Sequence, residues 1–209
     1  TRPLFVPGLL PWNGVFARWP RLAQQHDAAE FLQHMLDCAC SAAQRLLPKW
    51  EARTLLAGAV HIQDTGGLSA PILLEPLSQL QFSIQDWHAQ DAVHGLTEAT
   101  PALCVQLKRF AVSPDGTAVK DFRQVNLSPD LQVTFPCFAN CTGLGVSWVS
   151  YRLTFAILHQ GALPTSGHYQ AALATPDAFF VTDDGQLPAR CDSVEDLSIR
   201  CYLLGFRRV

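Results

Sequence analysis

Charged residues are scarce in this chain, and no long apolar run interrupts it. They make up 16% of the 209 residues, and the formal net charge is −3. This balance argues against a nucleic-acid partner, since nucleic-acid binders carry basic surfaces. No apolar stretch reaches the ~18 residues that a membrane helix needs, so we expect no membrane partner. No signal peptide is visible and the first residue is Thr1, which leads us to expect a piece of a longer polypeptide.

The cysteines follow no disulfide framework. There are seven, an odd number, at scattered positions. This predicts reduced thiols and an intracellular location, in the cytoplasm or the nucleus. Residues 51–100 contain no cysteine, so the histidines there lack the thiolate partners of a structural zinc. Cys137 and Cys141 lie four apart with no second pair after them, and we interpret them as loop thiols. We therefore expect no metal and no other cofactor.

Apolar residues are abundant, and one stretch of them organises the chain. The 48% apolar content over 209 residues is enough for one domain, or for two small lobes sharing a cleft. Residues 151–172 begin with apolar and polar residues in alternation, which predicts a strand. Gly161, Pro164 and Gly167 then predict a turn, and His168 opens a second strand. A histidine on such a rigid edge suits a general base, although a surface histidine beside a turn has the same pattern.

A carboxylate follows the next apolar strand. Phe179 to Val181 are apolar and lead to Asp183, while the turn-forming residues 175–177 predict antiparallel pairing with the His168 strand. We expect the two residues in a nearly matched register, with the Asp183 carboxylate within hydrogen-bond reach of the imidazole. A carboxylate there orients the ring and stabilises its protonated form. Asp183 and the residues after it also suit a simple turn, and both interpretations can hold.

The remaining segments are predicted from periodicity. From Asp27 apolar residues recur at three and four positions until Pro48, which predicts a helix capped by Asp27 with Glu30 three residues later. Weaker patterns predict strands at 54–62, 71–75 and 101–110, a strand pair over 120–131, and a short helix at 83–90.

The histidine segment resembles the histidine box of the ubiquitin-specific protease family, the papain-like deubiquitinases. That box reads roughly Y-x-L-x-A-V-I-x-H-x-G, a loop, then S-G-H-Y-x-A. This chain matches it at Tyr151, Leu153, Ile157, His159, Gly161, Ser166, Gly167, His168, Tyr169 and Ala171. Residues 25–31 resemble the family's Q-Q-D-A-H-E-F, except that His26 and Ala29 differ. Residues 101–110, PALCVQLKRF, and 201–206 resemble two further family strands, so the resemblance covers about 25–208.

The resemblance implies an α+β, papain-like fold with an antiparallel palm sheet, reduced fingers and a partial helical thumb. A single partial domain over 1–209 would comprise an irregular arm (1–24), a thumb helix (25–50), reduced fingers (51–100) and the palm with its histidine box (101–209). The implied reaction is hydrolysis of the peptide or isopeptide bond after the C-terminal glycine of ubiquitin. The implied partner is ubiquitin or a ubiquitinated protein.

The resemblance also implies residue roles. His168 would be the general base, and Asp183 would orient it. Asp27 and Glu30 would bind the basic tail of ubiquitin, with helix capping alone as the alternative for both. Further tail-binding candidates are Gln25, His159 and Tyr169, of which His159 has a structural role as its alternative.

The family's nucleophile segment, near G-N-T-C-Y-x-N-S, is absent from this sequence. Cys38 and Cys40 lie on the helix after Asp27 and are poor substitutes. Either the polypeptide has been cut before this segment, or it is an inactive relative that binds ubiquitin or acts as a scaffold. The retained His168 and Asp183 favour truncation. A processing protease that cuts another polypeptide is the alternative from a different class.

Overall fold

The computed structural model describes Phe16, Trp19 and residues 26–38, 48–63, 71–163 and 166–209, with only the backbone for Leu36. The helices of this part are α1 (Ala28–Cys38), α2 (Leu80–His88) and α3 (Val194–Arg200). Its strands are β1 (Trp50–Leu56), β2 (Ala59–Gln63), β3 (Ile72–Leu74), β4 (Val93–Leu96), β5 (Ala102–Leu107), β6 (Phe110–Val112), β7 (Ala118–Lys120), β8 (Gln132–Cys137), β9 (Ser147–Leu163), β10 (Ser166–Ala174), β11 (Phe179–Thr182), β12 (Ala189–Arg190) and β13 (Cys201–Arg208). None of the described helices is both long enough and apolar enough to cross a bilayer.

Eleven of the described strands form one sheet. Its order is β12-β11-β10-β9-β8-β4-β1-β2, with β13 joined to β9 and β5, and β3 joined to β5. The pairs are antiparallel except β3 with β5 and β4 with β8, which are parallel. β6 and β7 form a separate hairpin. The expected α+β class is observed, with a palm sheet that is mainly antiparallel.

The longest strand, β9, lies at the centre of the sheet. It has 17 residues and pairs with β8, β10 and β13. Its inward side chains are fully buried, and α2 and α3 add Ile84 and Leu197 to the same core. Tyr151, buried at the start of this region, donates its hydroxyl to the Thr100 carbonyl at 3.0 Å, so its polar end is satisfied inside the core.

Helix α1 begins where its sequence predicts. The Asp27 carboxylate Oδ1 accepts hydrogen bonds from the backbone N–H of Ala29 at 2.7 Å and of Glu30 at 3.2 Å, which is an N-cap. The described helix ends at Cys38, and the rest of the helix expected to reach Pro48 lies outside the described residues. Of the expected N-terminal arm, Trp19 is described, and its ring lies 5.3 Å from that of Phe31.

Two expectations need correction. The single strand expected over 54–62 is a hairpin, because Ala57 and Gly58 turn the chain with φ of 50° and 78°. The strand pair expected over 120–131 is wrong, since no strand follows β7 until β8. There the Val125 and Asn126 N–H groups bond the carbonyls of Ser198 and Ser78 at 3.2 and 2.7 Å. Carbonyls of other segments therefore accept these backbone hydrogen bonds, and the apolar residues pack into the core without pairing as strands.

Candidate active site

A tight hairpin between β9 and β10 positions His168. The register pairs Ser166 with Leu163 and His168 with Gln160, with an irregularity between the two pairs. Gly167 has φ 142°, and a Cβ there would overlap the Gln160 carbonyl and lie 2.8 Å from His159 Nε2. Only glycine fits this approach, so the residue before His168 is a structural requirement of the bend.

Asp183 reaches His168 diagonally across the β10–β11 pair. The register matches Ala171 with Thr182, so one further residue places Gln170 across from Asp183. His168 lies two residues away on the same face, within reach of a side chain. His168 Nε2 and Asp183 Oδ1 form a hydrogen bond, with 42% and 30% of the two side chains exposed. The structure thus brings the two residues together, displaced by two positions from the matched register.

The electrostatics of this pair favour an ionised carboxylate. The hydrogen bond from His168 is the largest cause that lowers the pKa of Asp183, and a hydrogen bond from Gln170 is the next. Because Nε2 faces Asp183, the other ring nitrogen, Nδ1, is the atom that would take a proton from a thiol. The pair can therefore serve as a base and the acid that orients it.

His159 lies buried beneath this hairpin. Lys120 Nζ donates to His159 Nδ1 at 3.1 Å, and also to the carbonyls of His159 at 2.6 Å and Gly161 at 3.0 Å. Burial, followed by the charge of Lys120, lowers the pKa of His159 and so disfavours a charged ring. The ring packs against Tyr169 with centroids 4.6 Å apart. His159 is therefore joined to Lys120, and it supports the bend that leads to His168.

Asp27 is buried, and its carboxylate accepts three hydrogen bonds. Besides capping α1, it accepts a hydrogen bond from the Tyr202 hydroxyl at 2.7 Å through Oδ2. Gln106 Nε2 donates to that same hydroxyl at 2.7 Å. Glu30, one turn along α1, is exposed. The two acidic candidates thus differ, since Asp27 holds the helix start and Glu30 faces solvent; Gln25 lies outside the described residues.

Comparison with known proteins identifies the family. Residues 15–204 match the family model described as ubiquitin carboxyl-terminal hydrolase. This chain belongs to that family. A relative, the probable ubiquitin carboxyl-terminal hydrolase 8 of Schizosaccharomyces pombe, is 29% identical over 129 residues, which cover 60% of this chain and 26% of the relative.

Solved structures of similar fold support the same architecture. The structure of the Ubp8–Sgf11–Sgf73–Sus1 SAGA DUB module contains a chain with a TM-score of 0.65 at 20% identity, covering 88% of this chain and 49% of that one. The same module bound to ubiquitin aldehyde gives a TM-score of 0.67 at 17% identity, covering 89% of this chain and 50% of that one. The expected ubiquitin-specific protease fold is confirmed. The chain spans about a quarter of the length of the curated relative and half of these solved chains.

The described cysteines of this family member have other surroundings than His168. All six are free thiols, and none of them is hydrogen-bonded to His168. Burial raises the pKa of Cys104 to about 12 and also raises the pKa of Cys201, so neither thiol ionises readily. Cys38 lies 3.5 Å from His34 on its own helix. Cys40 falls outside the described residues.

A cavity of about 500 Å³ opens between α1 and the palm. Phe31, Leu32 and Met35 of α1 form one wall, and the sheet contributes Ile157 and Leu203 on the other. Tyr169 and Asp184 also line it, so it extends to the edge that carries the dyad. Its walls are mainly apolar, and the apolar face of α1 is directed into it.

His168, Asp183 and Asp184 are also the group of described residues with metal-ligand spacing, their ligand atoms lying within 4.8 Å of one another. Since His168 and Asp183 already bond each other, we interpret the group as the dyad and its neighbour.

Sequence reasoning missed several residues that hold this site. Lys120 donates to the His159 carbonyl on the β9 side of the bend. Gln170 donates to Asp183, and Arg200 donates to Gln170. The sequence could have predicted Gln170, because it follows His168 by two residues in a strand and therefore lies on the same face. Lys120 and Arg200 are distant from the site in sequence, and no sequence pattern points to them.

Proposed function

We propose that this chain is part of a cysteine-type deubiquitinase, and that it supplies the base and the orienting acid. The chemistry is hydrolysis of the bond after the C-terminal glycine of ubiquitin. His168 Nδ1 would take the proton of a thiol, and the thiolate would attack the glycine carbonyl. The imidazolium would then protonate the leaving amine, and water would hydrolyse the resulting thioester. The observation that supports this most is the hydrogen bond between His168 and Asp183 beside the cavity.

The proposed tail site lies along α1 and the hairpin. Glu30 offers an exposed carboxylate for a basic side chain of the ubiquitin tail, and charge-assisted hydrogen bonds of this kind are the strong ones. Asp27 contributes by fixing the start of α1 next to Glu30. Tyr169, which lines the cavity, would form the aromatic floor under the tail, and the buried His159 would support Tyr169 from beneath. Gln25 completes the proposed set.

A second candidate is a catalytically inactive ubiquitin-binding or scaffold module of the same fold. The observation that favours it is that no described cysteine bonds His168. Both candidates bind ubiquitin, whereas a processing protease for another polypeptide would not. The free thiols also suit the intracellular location that we propose for either candidate.

Calorimetry with ubiquitin tests the proposal. We expect binding to intact ubiquitin and at least tenfold weaker binding to ubiquitin without its basic tail. Glu30→Gln should weaken binding of intact ubiquitin by about tenfold or more, since a charge-assisted hydrogen bond is worth ~1.5–3 kcal/mol. Glu98→Gln, at an exposed position in the loop between β4 and β5, is the control and should bind as the unmodified chain does. Equal affinity for tailed and tailless ubiquitin would refute the tail site.

A further inference from the structure

A chain of side-chain hydrogen bonds runs from α3 to the dyad. Asp183 Oδ1 bonds His168, and its other oxygen, Oδ2, accepts from Gln170 Nε2 at 3.0 Å. Gln170 Oε1 accepts from Arg200 Nη1 at 2.6 Å. The other arm of the Arg200 guanidinium bonds Asp196, one turn back on the same helix. Consecutive contacts thus connect helix α3 to His168.

The end groups of this series of hydrogen bonds determine which atom donates and which accepts at each step. A guanidinium has only donors, and an ionised carboxylate has only acceptors. The amide of Gln170 therefore has one orientation that satisfies both neighbours, with its oxygen toward Arg200 and its nitrogen toward Asp183. With Gln170 held in this way, Asp183 Oδ2 is occupied, and Oδ1 is the oxygen presented to His168.

Arg200 is itself held in place. It is the last residue of α3, and 19% of its side chain is exposed. The end of α3 is fixed because Arg109 donates to the carbonyls of Ser198 and Cys201 at 2.9 and 2.5 Å. The guanidinium therefore projects from a rigid position toward β10. Side chains on helices and strands are positioned more precisely than side chains on loops, so Arg200 is a suitable support for an active site.

We propose that Gln170 and Arg200 are positioning residues, which hold the Asp183 carboxylate in the orientation that bonds His168. Arg200 acts on the dyad through Gln170 and not mainly through its charge. The inference deepens the proposed function and rests on it, because it concerns the same base. It adds that the site depends on helix α3 and on Gln170, whose amide links Arg200 to the Asp183 carboxylate.

The electrostatics of Asp183 agree with this geometry. After the hydrogen bond from His168, the bond from Gln170 is the next cause that lowers the pKa of Asp183, and the charge of Arg200 is a smaller one. Among the described residues, Asp184 is a further ionisable neighbour at this edge. Loss of the Gln170 bond should therefore raise the pKa of Asp183 even when every formal charge is kept.

An NMR titration of the Asp183 carboxyl carbon in the 209-residue chain tests this. Gln170→Leu should raise the pKa of Asp183. Arg200→Lys keeps the positive charge but loses the fork between Gln170 and Asp196, and it should raise that pKa as well. The double variant should titrate as Gln170→Leu alone does, because Arg200 acts through Gln170. Arg190→Met, which removes a cation from the neighbouring strand β12, is the control for charge alone and should have little effect.

The imidazole N–H proton of His168 gives a second measurement. A strong hydrogen bond to a carboxylate moves this signal far downfield, and we expect the downfield signal to weaken in Gln170→Leu and Arg200→Lys but not in Arg190→Met. If Gln170→Leu does not fold, Gln170→Met removes the same donor with a side chain of similar length and no added charge. An unchanged Asp183 titration in Arg200→Lys, or additive shifts in the double variant, would overturn the proposal. The titration involves neither ubiquitin nor a thiol, so its outcome is separate from that of the ubiquitin-binding experiment.

Discussion

At the residue scale, the most consequential buried group is a cation whose described hydrogen-bond partners are four carbonyls and the Cys201 thiol. Arg109 is fully buried. Its guanidinium donates to the carbonyls of Ser198 and Cys201, and to those of Asp121 and Arg123 at 3.0 and 2.9 Å. Arginine suits this place because its five donors form a planar fork, whereas a lysine would present one point charge. Arg109 thereby joins the segment after β7 to the end of α3.

Arg109→Met should destabilise the fold by about 2–5 kcal/mol, since buried carbonyls would lose their donors. Urea denaturation measures this loss. Arg152→Met, at an exposed position on β9, is the control and should change stability by less than about 0.5 kcal/mol. A change as small as the control's in Arg109→Met would mean that water or other donors replace the guanidinium.

At the element scale, the β9–β10 hairpin is the structure on which the site depends. Its bend needs two glycines with unusual backbone conformations, Gly161 with φ 148° and Gly167 with φ 142°. Lys120 bonds the carbonyls on the β9 side of the bend, and His159 packs beneath it. The Lys120 hydrogen bonds and the packing of His159 therefore hold the bend in place, and His168 is the residue directly after Gly167.

Gly167→Ala should displace His168 and reduce stability by about 1–3 kcal/mol, because the added Cβ meets the Gln160 carbonyl in a backbone conformation that alanine disfavours. Thermal unfolding gives the stability, and the imidazole signals of His168 report its displacement. Gly185→Ala is the matched control, since a Cβ at Gly185 meets nothing within 4 Å. If both variants behave alike, the close approach at Gly167 is not what holds the bend.

At the scale of the whole molecule, His168 is not hydrogen-bonded to any of the described buried thiols. His168 lies near the start of β10 and Asp183 directly after β11, whereas the described buried thiols, Cys104, Cys137 and Cys201, belong to the core. A cavity of about 500 Å³ lies between α1 and the sheet that carries the dyad.

The 209-residue polypeptide should therefore not release the fluorophore from a C-terminal amide of ubiquitin. The physical reason is that catalysis of this kind needs a thiolate within hydrogen-bond reach of the base. Fluorescence measures turnover, with a complete deubiquitinase as the positive control. Turnover that disappears in Cys38→Ala or Cys40→Ala would contradict the prediction, because helix α1 or the residues just after it would then supply the nucleophile.

Much of the local structure could be predicted, because its causes are local. The Asp27 cap depends on one side chain and the next few backbone N–H groups. The β10–β11 pair follows from two apolar strands and a turn at residues 175–177, where the Thr175 N–H bonds the Ala178 carbonyl at 2.9 Å. The strand pair expected at 120–131 is wrong for the opposite reason. Its buried residues alternate as in a strand, but they pack against parts of the chain that are distant in sequence.

The sequence by itself therefore determined the strand and helix signals, the glycine bend before His168, and the motifs that identify the family. Only the tertiary structure decided how His168 and Asp183 meet, because a shift of two residues in strand register is invisible to periodicity. It alone also brought Lys120 to His159, 39 positions away, and Arg200 to Gln170, 30 positions away. Such contacts depend on how whole elements pack, and no local pattern of apolar and polar residues encodes that arrangement.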